Sequence, residues 1–187
     1  NYKRAIVYLE KAIGIAAHFG NKNAESTLLL RLSDFYMATD NLTAAFNIIY
    51  KAYAISRKTN NIKNTEFAEL SLLNAFVLSK ESDSCEYYFD RVSKIEFFGD
   101  TQKEVYQRLV FSKYFGFIGD SGNALKHAEE ALVYAKKANN TFLILEVEEF
   151  MTKIYFSTKQ YKRACELSEA SKHLSDSIQR TLFSYDI

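Results

Sequence analysis

The sequence predicts an all-α protein built as a stack of antiparallel helical hairpins. Three observations predict this fold class. The 187 residues include no proline and only six glycines, and these are the residues that break helices or permit backbone turns with positive φ. Apolar residues recur at the helical spacing of three and four. The whole pattern returns with a period of about forty residues, which is typical of helical repeat arrays.

The composition favours a folded, nearly neutral chain. Apolar residues make up 48% and charged residues 25% of the sequence, as in ordinary globular proteins. The 24 basic and 23 acidic residues nearly cancel, so no overall field favours nucleic acid or anionic lipid. The chain has neither an apolar run long enough to span a membrane nor a leader pattern. It starts at Asn1, not Met, and we expect a fragment of a longer protein.

The period is visible in two sets of mainly small residues. Small side chains at fixed positions let neighbouring helices approach closely, and one hairpin alone cannot bury both of its apolar faces. The members of each set recur once per period. The first set is Ala5, Ala45, Cys85, Ala124 and Ala164, and the second, seven residues later, is Ala12, Ala52, Val92, Ala131 and Ser171. We expect both sets to form the seams between helices, and Cys85 and Cys165 to be buried thiols.

Turn-forming residues divide each period into two helices. Pairs such as Gly20-Asn21, Asn60-Asn61, Gly99-Asp100 and Asn139-Asn140 stand where second helices end, and Gly and Asn tolerate the left-handed conformation that closes a helix. Asn139-Asn140-Thr141 also matches the N-glycosylation pattern, but its position indicates a turn. The predicted helices, about nine in number, are 1–19, 22–39, 41–58, 63–79, 82–97, 101–118, 121–138, 141–157 and 160–184.

These helices form a single predicted domain, 1–187. It begins with the second helix of a truncated repeat, and four complete repeats follow. Residues 175–187 have two open alternatives: they continue the last helix, or Ser175 begins a separate capping helix. The truncated repeat is 1–19, and the complete repeats are approximately 22–59, 63–98, 101–138 and 141–184.

The unit resembles the tetratricopeptide repeat. The stretch "LRLSDFYMATDNLTAAFNIIYKA" carries the family pattern with Leu32, Ser33 and Tyr36 in the first helix and Ala45 and Ala52 in the second. The resemblance covers essentially the whole chain, in a form that is longer than the common one and lacks its usual closing proline. It implies a right-handed superhelical solenoid of antiparallel helix hairpins. The longer form is similar to repeat segments of bacterial, Bacteroidetes-type sensor and regulator proteins.

In that family the first helices line a concave groove, which implies a binding surface here. Mixed charged, polar and aromatic side chains would suit a peptide or a partner helix. For the aromatic residues, the alternative is a place in the core between repeats. The family's clamp for terminal carboxylates is not predicted, because only two residues of the set match its chemistry. The predicted groove residues are Arg31, Asp34, Phe67, Asn74, Tyr106, Lys113, Phe117, Glu149 and Lys153.

No pattern in the sequence indicates an enzyme, a metal site or a cofactor. His18, His127 and His173 are far apart along the chain, and a carboxylate three residues after a histidine more often forms a surface pair than a catalytic one. No glycine-rich phosphate loop, Cys/His cluster or nucleophile motif is present. We therefore expect no catalytic residue, no metal ligand and no cofactor.

The resemblance implies a protein- or peptide-binding scaffold or sensory domain of a bacterial signalling or transcription-regulatory protein. The expected location is cytoplasmic or periplasmic, and the sequence does not decide between them. Two alternatives are a small-peptide receptor that switches a following effector domain and an RNA-binding helical repeat, which the near-neutral charge disfavours. Incomplete repeats at both ends predict exposed apolar seams, to be covered by flanking domains or by self-association.

Replacing Ala45 or Ala124 by leucine should lower the free energy of unfolding by roughly 1–3 kcal/mol each, because a larger side chain overpacks the seam between helices. Chemical denaturation of the purified variants measures the change. Variants that unfold at the same denaturant concentration as the parent chain would show that the repeat register is wrong.

Overall fold

A computed structural model describes residues 2–97 and 99–183. Within these residues the chain forms nine α-helices and no strand, in agreement with the all-α prediction. Their bounds are α1 Tyr2–His18, α2 Lys22–Ala38, α3 Leu42–Lys58, α4 Ile62–Ser79, α5 Ser82–Val92, α6 Thr101–Phe117, α7 Ser121–Lys137, α8 Thr141–Ser157 and α9 Tyr161–Phe183.

The helices belong to two compact units. Unit 1 spans Asn1–Ile95 and contains α1 to α5, and unit 2 spans Glu96–Ile187 and contains α6 to α9. In each unit consecutive helices pack as antiparallel hairpins. Alternate helices also meet, α2 with α4 in unit 1 and, more lightly, α6 with α8 in unit 2. The single domain 1–187 stays a prediction.

Eight of the ten residues that the repeat pattern placed in the seams are buried, and the other two, Ala5 and Ala12 of α1, are half-buried. Cys85 is 1% exposed and Ser171 is 8% exposed, and Ala45, Ala52, Val92, Ala124, Ala131 and Ala164 have no exposed surface. The expectation for Cys165 was wrong, because its thiol is exposed. One residue further along a helix turns the side chain by about 100°, and Ala164 occupies the seam instead.

One turn geometry closes seven of the first eight helices. A residue with positive φ occurs every 19 or 20 positions, and the residue after it directly precedes the next helix. At the turn between α2 and α3, Asp40 has a φ of 59°. The Asn41 N–H donates to the Tyr36 carbonyl at 2.9 Å, and the Asn41 Oδ1 accepts from the Ala44 N–H at 3.2 Å. Asn41 therefore satisfies backbone groups of two helices at once. The left-handed residues are Gly20, Asp40, Asn60, Lys80, Gly99, Gly119, Asn139 and Lys159.

Helix α5 is the exception, because it ends at Val92 and not near residue 97 as predicted. Phe97 lies forty residues after Arg57, an exposed residue in the last turn of α3. A continued helix would thus place Phe97 in solvent. The chain instead leaves the helix, and Phe97 is 7% exposed with the Lys103 Nζ 5.9 Å from its ring centroid. Burial of an aromatic ring, typically worth about 1.5–3 kcal/mol, outweighs the hydrogen bonds of one further helical turn.

The last helix, α9, resolves the alternatives left open for the end of the chain. It runs without interruption over 23 residues to Phe183, so Ser175 lies inside a helix and does not cap a new one. Residues 184–187 lie outside the described part of the chain. None of the described helices has both the length and the apolar character that a membrane span requires.

Replacing Asn41 by alanine should lower the free energy of unfolding by about 1 kcal/mol, because the first turn of α3 loses its capping acceptor. Glu81 occupies the equivalent place before α5 and makes no side-chain hydrogen bond to the first turn of that helix. Its Oε1 instead accepts from the exposed Ser79 hydroxyl at 3.2 Å. Glu81→Ala is the matched control, with an expected change below about 0.5 kcal/mol. Equal changes in the two variants, measured by urea denaturation, would contradict the capping role of Asn41.

Candidate binding surfaces

Four of the predicted groove residues lie in unit 1, on α2 and α4. Arg31 is exposed and Asp34 is half-buried. Phe67 and Asn74 are 5% and 4% exposed, within a stretch of α4 that is buried on every side from residue 67 to residue 77. The Asn74 Nδ2 lies 3.5 Å from the Met37 Sδ on α2. Phe67 and Asn74 are thus packed residues in this structure.

The other five predicted residues lie in unit 2. Tyr106, Lys113 and Phe117 are half-buried on α6, whereas Glu149 and Lys153 are exposed on α8. Lys113 and Lys153 occupy the same position in successive repeats. Unit 2 therefore presents its five residues on equivalent helices. Their common role in binding stays a prediction.

A single exposed stripe runs along α8. Phe142, Glu146, Glu149, Lys153 and Phe156 are spaced by four, three, four and three residues and are all exposed. This spacing places them on one helix face. The two phenylalanines at its ends are 65% and 54% exposed and are separated by about 21 Å along the helix axis, at about 1.5 Å per residue. We call these five residues the α8 stripe.

The opposite side of α8 fixes the stripe in place. Val147, Met151, Ile154 and Tyr155 belong to the hydrophobic core of unit 2, and the half-buried Phe150 packs against that core. The buried Glu148 carboxylate accepts a hydrogen bond from the Ser171 hydroxyl of α9 at 2.9 Å. Since core and hydrogen bond both hold the helix, the α8 stripe is a preformed surface.

A cleft of about 560 Å³ opens in unit 1, between α3, α4 and the end of α5. It contains two arginines, two glutamates and two isoleucines. The wall that α5 contributes to this cleft is short, because α5 has only 11 residues. The other helices that follow a first helix, α3, α7 and α9, have 17, 17 and 23 residues. The lining residues are Arg57, Asn60, Ile62, Thr65, Glu66, Glu69, Arg91 and Ile95.

The floor of the cleft is an ion pair that is already hydrogen-bonded. Glu69 is 4% exposed, and its Oε1 accepts from the Arg91 guanidinium and, at 3.2 Å, from the Tyr53 hydroxyl. The hydrogen bond from Arg91 to Glu69 raises the pKa of the Arg91 guanidinium. Burial, followed by the charge of Glu69, raises the pKa of Tyr53. The Glu69 charge is therefore compensated inside the protein.

The cleft residues were not predicted, although the repeat contains a signal for two of them. One repeat position is occupied by Leu29 in the first complete repeat and by Glu69, Arg108 and Glu148 in the next three. An ionisable residue therefore recurs at a position that can also hold a leucine. Arg108 pairs with Glu130 of α7 at 3.3 Å. Arg108 is at the repeat position of Glu69, and Glu130 is at the repeat position of Arg91. The two ion pairs are therefore equivalent in position and opposite in the placement of their charges. Such pairs become visible only when the repeats are aligned by register.

The residues with reactive side chains occupy packed or isolated positions. The His127 ring stacks on Phe115 with centroids 5.3 Å apart, and its Nδ1 is 3.3 Å from Glu130. Burial lowers the pKa of His127. Burial also raises the pKa of the Cys85 thiol to about 11. Within the described residues, no cluster of three or more His, Cys, Asp or Glu side chains is arranged to hold a metal ion.

The first helix exposes an apolar face, as the sequence predicts for an incomplete repeat. Tyr8 and Ile15 on α1, and Phe19 directly after it, are 69%, 60% and 77% exposed and continue one helical spacing. The residues of α3 equivalent to Tyr8 and Ile15, Ile48 and Ile55, are half-buried. Self-association through this face stays a prediction.

The architecture is that of known tetratricopeptide repeat structures. A signal transduction ATPase with numerous domains from Pyrococcus horikoshii, which has a tetratricopeptide repeat sensor, superposes with a TM-score of 0.58 and 21% identity over 99% of this chain and 33% of that chain. A kinesin light chain-like protein from Podosopora anserina, with nearly identical TPR-like repeats, superposes with a TM-score of 0.55 and 16% identity over 96% of this chain and 89% of that chain. Neither a protein-family model nor a curated protein sequence matches the chain.

These similarities establish the fold. The chain has the tetratricopeptide repeat fold, in the form of consecutive helical hairpins, as the sequence predicts. The fold is typical of scaffolds that bind other proteins. At identities of 16% and 21%, the ligand has to be argued from the surfaces of this chain.

Replacing Arg91 by methionine should lower the free energy of unfolding by about 2–3 kcal/mol, because it leaves the buried Glu69 carboxylate without its cation. The Arg91 side chain is 41% exposed, so the loss is smaller than for a fully buried pair. The double variant Glu69→Leu/Arg91→Met removes both charges and should recover most of the loss. A double variant less stable than Arg91→Met, measured by urea denaturation, would contradict this account.

Proposed function

We propose that this chain is a protein-binding repeat domain, a sensory or scaffolding segment of a bacterial signalling or transcription-regulatory protein. The signalling role is supported by the similarity, along 99% of this chain, to a signal transduction ATPase. In that ATPase the tetratricopeptide repeats are the sensor. The α8 stripe is the observation that carries the binding role. It contains Glu149 and Lys153, the two predicted groove residues that are exposed in unit 2.

The α8 stripe has the chemistry of a partner-binding surface. Exposed aromatic rings such as Phe142 and Phe156 are the side chains that most often anchor protein interfaces. The Tyr161 ring stands 5.8 Å from Phe156 in an edge-to-face contact and is 54% exposed, which widens the apolar contact at that end. Between these anchors lie the carboxylates of Glu146 and Glu149 and the ammonium group of Lys153. Their net negative charge favours a basic partner.

The expected ligand is therefore a protein segment with two apolar anchors about 21 Å apart, the rise of fourteen helical residues, and with basic residues between them. A helical or extended segment can meet this spacing. The preformed surface means that the repeat domain does not have to be ordered on binding. Catalysis has no part in this proposal.

Selection of random peptides on the purified chain tests the proposal without knowledge of the natural partner. Selected peptides should contain lysine or arginine between two apolar residues. Their affinity should fall at least about tenfold for Phe142→Ala/Phe156→Ala, because truncating interface aromatics typically costs more than about 1 kcal/mol each.

Val133→Ala is the matched control, since Val133 is 66% exposed in the same unit but lies on α7. Peptides that bind the double variant and the parent chain equally would remove the α8 stripe as the binding surface. Selection of no peptide at all, or only of acidic peptides, would likewise overturn the proposed recognition.

A further inference from the structure

The cleft of unit 1 contains two charges that are not compensated by the protein. Arg57 and Glu66 both line it. Among the residues that the structure describes, neither forms a salt bridge, with each other or with a third residue. The neighbouring charges Glu69 and Arg91 are paired. The cleft thus offers one available cation and one available anion above a neutral floor.

The Arg57 guanidinium is positioned by the aromatic ring beside it. The Arg57 Cζ lies 5.9 Å from the Tyr53 ring centroid, and stacking on an aromatic face keeps a guanidinium group oriented while its N–H groups stay free to donate. Glu66 is half-buried one helical turn before Glu69. Tyr53 in turn donates to Glu69, so the same network supports both the floor and the Arg57 side of the cleft.

We propose that this cleft binds a small zwitterion of the amino-acid type with an apolar side chain. The Arg57 guanidinium receives the carboxylate, for which its planar donor pair is suited. The Glu66 carboxylate accepts from the ammonium group. Ile62, which is 70% exposed, and Ile95 form the apolar walls, and an apolar ligand side chain would cover surface that is now in water.

The charges decide against simpler ligands. A ligand with only a negative charge would pair with Arg57 but would be repelled by Glu66. A ligand with only a positive charge would pair with Glu66 but would be repelled by Arg57. A zwitterion satisfies both groups without changing the charge of the cleft. The volume of about 560 Å³ lies within the range of small-molecule sites and accommodates a free amino acid or a dipeptide. The site is independent of the α8 stripe, which belongs to the other unit.

Calorimetric titration of the whole chain with L-leucine and with L-leucyl-L-leucine tests this proposal. N-acetyl-L-leucine lacks the ammonium group and L-leucinamide lacks the carboxylate, so the two compounds are matched controls. We expect saturable binding of at least one zwitterion, and binding at least about tenfold weaker for both controls, since each loses a charge-assisted hydrogen bond. Absence of saturable binding by both zwitterions, or equal binding by a control, would overturn the proposal.

Two variants locate the site, each with a control at an exposed residue of like charge that does not line the cleft. Arg57→Gln and Glu66→Gln should each weaken zwitterion binding at least about tenfold, whereas Lys58→Gln and Glu86→Gln should leave it unchanged. Circular dichroism verifies that every variant keeps its helical content. Arg57→Gln should reduce the discrimination against L-leucinamide, and Glu66→Gln the discrimination against N-acetyl-L-leucine. Unchanged discrimination in folded variants would show that these residues do not contact the ligand.

Discussion

The close approach of paired helices along seams of small side chains is the constraint on which the structure depends. Ala45 and Ala52 in unit 1, and Ala124 and Ala131 in unit 2, have no exposed surface. At such positions the helix backbones approach as closely as an alanine allows, and the larger apolar residues on either side interlock. A helix of 17 residues, the commonest length here, presents its seam over nearly five turns of the helix.

The turns between the helices are short, and most of them share one geometry. A left-handed residue followed by an Asn or Asp cap reverses the chain within three residues and satisfies the backbone groups of both helix ends. The left-handed position is occupied by Gly, Asn and Asp, which tolerate that conformation, but also by Lys80 and Lys159. A lysine there costs conformational energy, so the pairing of the helices overrides local preference at these two turns.

Both candidate binding surfaces arise where the chain departs from its own repeat. The cleft lies beside the early end of α5, and α5 ends early because Phe97 would be exposed in a longer helix. The α8 stripe differs from the equivalent face of α4, which is largely buried, in that its five residues are all exposed. The buried ion pairs differ between repeats in a related way, since Glu69–Arg91 in unit 1 becomes Arg108–Glu130 in unit 2. This exchange favours the correct pairing of helices, because pairing α4 with α7 would place Glu69 next to Glu130, two like charges.

The sequence by itself determined the order of the helices and most of their bounds and seam positions, with the end of α5 and the burial of Cys165 as exceptions. Small residues at a fixed period indicate where helix backbones approach closely, and turn residues between them indicate where φ is positive. Each of these residue types meets its requirement locally, so the pattern can be recognised without knowledge of the rest of the fold. The tertiary structure alone decided what lies at the surface. Phe67 and Asn74 are buried although their repeat position matches that of exposed residues of α8, because burial depends on what packs against a helix and not on its own pattern. The partners Glu69 and Arg91 lie 22 residues apart on consecutive helices, and only the packing of α5 on α4 brings a guanidinium group to a buried carboxylate.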